Sequence, residues 1–572
     1  MLEQSIIEKV NQWINSSFVE DASKHEIQDL LQKENNQELT ERFYKNLEFG
    51  TGGMRGIIGA GHNRINIYTV RRAALALSKA LKKNDAVAIS YDSRRFSKIF
   101  AEEVAQVLAA QQIKSHLFSQ LTPVPLLSYA IRQLKAQAGV MITASHNPIN
   151  YNGIKIYWDD GAQVTPPHDK IITDFYESID ASSDIKRISL KEGMETKLID
   201  YIPTSLIDAY DEMVMGQLPQ TKKFYETQFP EEKKLKAVYT PLHGTGRLFA
   251  RDLMKKCHYQ MSLVSSQEMP DENFSTVKTP NPEDPSALEL AVTEMIQTKS
   301  HVCYGTDPDA DRLGVVLNNN GHPYYLTGNQ IALLMLHYLF THKEKPANKN
   351  LVVLKSIVTS YMQDKLCAHF GARCINTLTG FKWMCGELKK LEEKKENFEF
   401  LFASEESFGQ LIHPHSRDKD AISSMALFSE IVQDCLIQGK SVLSYLSEIY
   451  REFGYYTEDL LSVNYEGQQG QEKIKRIMDF FRNNYQKLDF LKVESLEDYL
   501  DDGHGMPKSN VLGLILEGNN RLYLRPSGTE PKIKFYLMNV YSDFSSLEES
   551  EGKAKKDFES TKQRIQSLIK DI

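Results

Sequence analysis

The sequence predicts an α/β protein of several domains, closed by a smaller α+β unit, and three observations predict it. A chain of 572 residues is too long for one hydrophobic core, and an allowance of about 150 residues per domain points to about four. Short runs rich in Val, Ile and aromatics repeatedly end in a polar loop and lead into helical periodicity, which is the βα signature of open, mostly parallel sheets. The last quarter reads differently. There VLGLILEGNNRLYLRPSGTEPKIKFYLMNVYS alternates strands around Gly-Asn-Asn and Pro-Ser-Gly turns, and the charged helix SLEESEGKAKKDFESTKQRIQSLI follows, a pattern that suits a small antiparallel sheet with a helix on it.

In chain order, MLEQSIIEKVNQWIN spaces Leu2, Ile6, Val10 and Trp13 as an amphipathic helix and lacks the basic-then-apolar layout of a signal peptide. Five runs then read as βα starts: Val87–Ser90 into YDSRR, Val140–Ile142 into TASHNP, Ala237–Tyr239 into TPLHGTG, Val302–Tyr304 into GTDPDADR, and Phe400–Phe402 into ASEESFG. Ligands of open α/β sheets gather at the carboxyl ends of the strands, where these polar motifs fall. Charged, turn-rich segments near residues 205, 325 and 455 divide the chain into 1–205, 206–325, 326–455 and 456–572. The recurring unit suggests that the first three are diverged repeats.

Composition is that of a globular protein, 41% hydrophobic and 25% charged, which excludes disordered and fibrous classes. The formal charge of −8 comes without a long basic cluster, so no nucleic-acid partner is expected. Six scattered cysteines without a C-x-x-C pair argue against a disulfide framework or a thiolate metal site. Apolar runs fall short of the ~20 residues of a membrane span. The chain is expected to be cytoplasmic, off the membrane, and a monomer, with a dimer left open.

The chemistry concentrates in a few loops. DPDADR carries Asp307, Asp309 and Asp311 at alternate positions, which in an extended segment share one face. Three converging carboxylates want a hard cation such as Mg²⁺. An EF-hand does not fit, because Arg312 would stand where glycine is needed; an Asp-rich solvated turn is the plain alternative. RPSGTEP gathers Arg525, Ser527, Gly528 and Thr529 into an anion pocket suited to phosphate, or forms an ordinary turn. FGTGGMRG lacks the P-loop and dinucleotide spacings, leaving either a flexible glycine turn with Arg55 as an anion contact or a structural loop. LTGFKW offers Thr379 and Lys382, SEESFG offers Glu405 and Ser407, and RDKDA offers Arg417 and Lys419. Hydroxyl, carboxylate and ammonium groups beside aromatic surface suit a sugar phosphate, although each group also has a place in a core or a solvated face. Ser145 in TASHNP lacks the G-x-S-x-G flanks of a hydrolase, and an extended loop would point His146 away from it.

FGTGGMRG, TASHNPINYNGIKIY, DPDADR, TGFKW, EESFG and RPSGTEP occur in the same order in the α-D-phosphohexomutase superfamily, which this chain closely resembles from Phe49 to Pro531. YTPLHGTG and STVKTPNPED also resemble its longer, glucomutase-type branch. The resemblance implies three related α/β domains with mixed sheets and a smaller α+β domain, heart-shaped around a central cleft. It implies a phosphoserine at Ser145, which with Asp307, Asp309 and Asp311 would bind Mg²⁺. Arg55, Arg312 and His146 would surround the transferred phosphoryl group, with Lys155 and Lys419 as candidate acid/base groups. Thr379, Gly380, Lys382, Glu405, Ser407 and Arg417 would meet the sugar, and Arg525, Ser527, Gly528 and Thr529 the phosphate at rest. The expected activity is interconversion of glucose 1-phosphate and glucose 6-phosphate, with glucose 1,6-bisphosphate as intermediate and activator. A mannose or pentose substrate, a bisphosphate synthase, and a non-enzymatic sugar-phosphate binder are the alternatives.

Overall fold

The computed structural model describes residues 2–50, 52–227, 229–344, 348–465, 467–527 and 532–572. They fall into two compact units: residues 1–326, 381–396 and 407–433 form the first, and residues 327–380, 397–406 and 434–572 the second. The described residues form four sheets, of six, five, four and five strands in chain order.

The first unit opens with helices Gln4–Asn15, Asp21–Gln32 and Asn36–Phe43. Ile6, Val10, Trp13, Ile27, Leu39 and Phe43 recur at helical spacing and meet in one buried cluster. A six-stranded sheet follows in the order Gly53–Ile57, Tyr151–Trp158, Ala138–Ile142, Ala86–Tyr91, Lys114–Leu117, Ile199–Tyr201. The last four strands of that order run parallel, while Tyr151–Trp158 is antiparallel to both of its neighbours. Val87, Ile89, Val140, Ile142, Ile154 and Ile156 fill its core, β-branched residues that pack well on a pleated surface. The second sheet has Val302–Thr306 and Lys236–Thr240 side by side and parallel, with Leu313–Asn319 returning antiparallel on Val302–Thr306.

In the second unit, strand Asn350–Ser356 lies between Arg373–Thr377 and Phe398–Glu405, all parallel. The C-terminal sheet is antiparallel throughout, in the order Tyr455–Asn464, Lys532–Tyr541, Arg521–Pro526, Leu512–Leu516, Val493–Asp498, followed by helix Leu547–Asp571. Among the described residues no helix is long and apolar enough to cross a membrane.

The βα expectation holds for two of the five runs. Ala86–Tyr91 leads to helix Ser97–Ala110, and Lys236–Thr240 to helix Gly246–Lys256. After TASHNP and DPDADR the chain instead returns at once as an antiparallel strand. ASEESFG is followed by the short strand Gly409–Leu411 before helix Ala421–Gln438. The physical reason is pairing: YNGIKIYW and LGVVLNN gain a full ladder against the strand that precedes each loop, an option local periodicity cannot reveal. FGTGGMRG is likewise half strand rather than a flexible turn, because Gly53–Ile57 is the sheet edge. Gly53, at φ 150°, has Ile154 O where a Cβ would sit, only 1.9 Å away, so no other residue fits.

Candidate active site

Ser145 follows the buried strand Ala138–Ile142 and adopts a left-handed backbone, φ 51°. A pair from the YDSRR loop holds it there. Asp92 Oδ2 accepts from Thr143 Oγ1 at 2.7 Å, and Thr143 Oγ1 accepts from Ser145 N at 2.8 Å. The Arg94 guanidinium donates to the carbonyls of Ser145, Asn147, Pro148 and Tyr151. Both charges are buried, and burial outweighs their mutual attraction, raising the Asp92 pKa and lowering that of Arg94. The hydrogen bonds to the loop are what keep the pair in place.

The left-handed turn reverses one expectation. His146 does not point away from Ser145: its Nδ1 lies 3.1 Å from Ser145 Oγ, because a turn, unlike an extended loop, brings neighbouring side chains to one side. Burial, then Arg312 and Arg55, push the His146 pKa down to about 2, so the imidazole is neutral.

Ser145 Oγ donates to Asp307 Oδ2 at 2.7 Å. Asp307, Asp309 and Asp311 converge as expected, but through a turn rather than an extended segment. Ala310 is left-handed at φ 52°, and Asp307 Oδ1 accepts from the backbone N–H groups of Asp311 and Arg312, local bonding that Asp favours in turns. Each carboxylate offers an oxygen within 4.8 Å of the others. Burial, then Asp309 and Asp311, drive the Asp307 pKa well above the carboxylate range. Burial would do the same to Asp311, but Lys155, Lys419 and Arg312 hold it well below. Lys155 Nζ donates to Asp309 at 2.7 Å and Asp311 at 3.2 Å, and Lys419 Nζ stands 3.4 Å from Asp311. Burial alone would lower the Lys155 pKa; the two aspartates outweigh it and raise it. Asp309 Oδ1 and Asp311 Oδ1 are buried without a hydrogen-bond partner. Crowded all-oxygen donors with two orphaned acceptors fit a hard divalent cation such as Mg²⁺.

The other expected residues are distributed between the units. Arg55 Nη1 donates to Asn147 Oδ1 at 3.2 Å, and Arg312 pairs with Glu283. Arg417 is 1% exposed and pairs with Glu392. Burial lowers the Lys382 pKa. Ser407 lies in the first unit, as do Lys382, Arg417 and Lys419. In the second unit Glu405 Oε1 accepts from Gly380 N at 2.8 Å, beside Thr379. Arg525 is the penultimate residue of strand Arg521–Pro526, and Ser527 follows that strand. Gly528 and Thr529 lie outside the described residues.

The descriptions phosphoglucomutase/phosphomannomutase alpha/beta/alpha domain I, domain II and domain III match residues 46–183, 220–321 and 327–453. The chain belongs to the phosphoglucomutase/phosphomannomutase family. A phosphoglucomutase of Staphylococcus aureus strain MRSA252 is 34% identical, over 93% of this chain and 96% of that one. Among solved structures, the parafusin phosphoglucomutase of Paramecium in its open form matches with a TM-score of 0.70 at 17% identity, covering 91% of this chain and 96% of that one. A family protein from Burkholderia thailandensis matches at 0.64 and 17%, covering 91% and 97%. The phosphoglucomutase/phosphomannomutase fold thus spans nearly the whole chain, and the family's enzymes are phosphotransfer mutases.

Within this family fold, sequence reasoning passed over the supporting residues. Asp92 and Arg94 belong to the YDSRR loop, where an Asp-x-Arg at a strand end was the available signal. Thr245 donates through N and Oγ1 to Pro308 O, both at 2.8 Å, steadying the Asp loop. Tyr157 OH donates to Asp418 at 2.8 Å beside Lys419. A Cβ on Gly409 would lie 2.0 Å from Lys419 Cδ, so this glycine makes the groove in which Lys419 lies.

Proposed function

We propose that this protein is a phosphoglucomutase, interconverting glucose 1-phosphate and glucose 6-phosphate through phosphorylated Ser145 and glucose 1,6-bisphosphate, which also acts as activator. The observation that carries the reading is a buried hydroxyl set 2.7 Å from the first carboxylate of an Asp triad. The 34% identity to a phosphoglucomutase over 93% of the chain supports glucose as the sugar.

In this reading Asp307, Asp309 and Asp311 hold Mg²⁺ together with the oxygen on Ser145. When bound, the ion supplies positive charge that screens the phosphoryl oxygens. Ser145 Oγ gives its phosphoryl group to the free sugar hydroxyl: the sugar O–P bond forms, the serine O–P bond breaks, and the hydroxyl proton leaves to a base. Lys155, Lys419 and His146 are the candidates to accept and return that proton. Arg55 and Arg312 add fixed charge around the transferring group. The bisphosphate then turns end for end, and Ser145 takes back the other phosphate. Both orientations must be gripped alike. Thr379, Gly380, Lys382, Glu405, Ser407 and Arg417 serve the sugar, and Arg525, Ser527, Gly528 and Thr529 the phosphate at rest. The same reading takes 1–205, 206–325, 326–455 and 456–572 as four domains of a cytoplasmic enzyme.

The test is an assay of purified protein with Mg²⁺ and trace glucose 1,6-bisphosphate on the 1-phosphates of glucose, mannose and ribose, beside Ser145→Ala. Expected is rapid turnover of glucose 1-phosphate and a loss of at least about 10³-fold in the variant. Turnover of ribose 1-phosphate alone makes the protein a pentomutase, and release of bisphosphate as end product makes it a synthase. No turnover on any sugar defeats the mutase reading.

A further inference from the structure

Away from the reaction centre, two thiols meet at the edge of the parallel sheet in the second unit. Cys367 lies on helix Met362–Phe370 and Cys374 on the edge strand Arg373–Thr377. Gly371, at φ 71°, ends the helix and turns the chain back, and Ala372 N donates to Cys367 O at 2.8 Å. The strand therefore starts against the helical turn that carries Cys367: Asn376 Nδ2 donates to Asp364 Oδ1 at 3.0 Å, and Cys374, two positions before Asn376 on the same strand face, looks toward Cys367, three positions after Asp364 on the same helix face. The pair is asymmetric. Cys367 is 1% exposed, whereas Cys374 is partly exposed, alone among the six cysteines; Cys257, Cys303, Cys385 and Cys435 are buried like Cys367. Exposure alone makes Cys374 the thiol that a dissolved reagent can reach.

We propose that Cys367 and Cys374 form a reversible dithiol–disulfide site that exchanges with low-molecular-weight disulfides. Cys374, as the thiolate, attacks one sulfur of the small disulfide RS–SR. A Cys374–SR bond forms, the S–S bond of the reagent breaks, and the released thiolate takes up the proton that Cys374 lost. Cys367 then gives up its proton and attacks the Cys374 sulfur, displacing the second thiolate, which takes up that proton. In sum, two electrons pass from the protein to the reagent: dithiol plus RS–SR gives protein disulfide plus two RSH. Burial keeps Cys367 from meeting the reagent directly, so Cys374 is the point of entry and Cys367 the resolving thiol. The strand runs on into Leu378, Thr379 and Gly380, so the bond ties the helix to the segment that feeds this loop.

The test uses the full-length protein incubated with oxidised glutathione, denatured, alkylated, and mapped by tryptic mass spectrometry. Expected is a cross-link between the peptides beginning at Leu366 and at Cys374, which cleavage after Lys365 and Arg373 separates. It is accompanied by loss of two alkylatable thiols and reversed by dithiothreitol. Cys367→Ser instead accumulates glutathione on Cys374, and Cys374→Ser stays unmodified. Two outcomes overturn the proposal: glutathione persisting on wild-type Cys374 without a cross-link, or all six cysteines remaining alkylatable. Neither readout depends on the sugar-phosphate activity.

Discussion

Strand ends in the first unit are of two kinds, and they carry different work. Where the chain turns straight back into an antiparallel strand, from Ile142 to Tyr151 and from Thr306 to Leu313, the loop presents the reacting groups, Ser145 and the three aspartates. Where it crosses into a helix, from Tyr91 to Ser97 and from Thr240 to Gly246, the loop supplies braces: Asp92 and Arg94 under the serine turn, Thr245 under Pro308. A return loop is pinned at both ends by ladders in fixed register, so its side chains are placed with little freedom. Left-handed non-glycine residues occur in both kinds, Ser145 and Ala310 in the return loops and Phe96, Leu242 and His243 in the crossovers, a conformation costing about 1–2 kcal/mol for an L-residue. At Ser145 and Ala310 the crossover loops offset that strain by satisfying carbonyls and hydroxyls of the two turns.

The sharpest test of this division is Asp309→Asn in a return loop. It removes one charge from the triad and is expected to weaken Mg²⁺ by at least about 100-fold, more than the loss of an outer hydrogen-bond partner. Magnesium titration of activity and calorimetry read it, and chelator should silence the wild type reversibly. Arg94→Lys in a crossover loop keeps the charge but not the fork that reaches four carbonyls. We expect turnover to fall about 10–100-fold and stability by about 2–4 kcal/mol. A denaturation midpoint that drops while kcat holds would make Arg94 a residue of the fold alone and break the comparison. Thr245→Val deletes the hydroxyl that donates to Pro308, at a cost of about 1 kcal/mol, with less than a tenfold change in kcat. A loss as large as that of Asp309→Asn would show that brace and reacting loop are one unit.

His62 lies outside both kinds of loop and is the control. Burial, then Lys9 and Arg72, lower its pKa from 6.5 to about 4. Between those values the unfolded chain binds a proton that the folded chain refuses, so stability falls as pH drops through this window. His62→Gln should flatten that slope, read as the unfolding midpoint at pH 7 against pH 5, and leave turnover at neutral pH unchanged.

Much of the site was legible because its residues are chemically distinctive. An aspartate triplet or a Ser-His-Asn-Pro run stands out in any sequence. What was misread was local geometry: an extended path for DPDADR, an outward His146, and a helix after each polar loop. The supporting residues were harder to see for another reason. Asp92, Arg94 and Glu283 are common surface types, and apart from the Asp-x-Arg at a strand end nothing near them in sequence marks them as buried or paired.

The sequence by itself determined the α/β class, the N-terminal amphipathic helix, the antiparallel C-terminal sheet and the chemistry of the loops, since these follow from periodicity and residue type over a few neighbours. Only the tertiary structure decided that Ser145 lies against Asp307, 162 positions away, that Arg94 cages the serine turn, and that Cys367 meets Cys374. Such pairings depend on the register and packing of separate elements, and the energy that selects them is shared among many distant contacts rather than written in any one stretch.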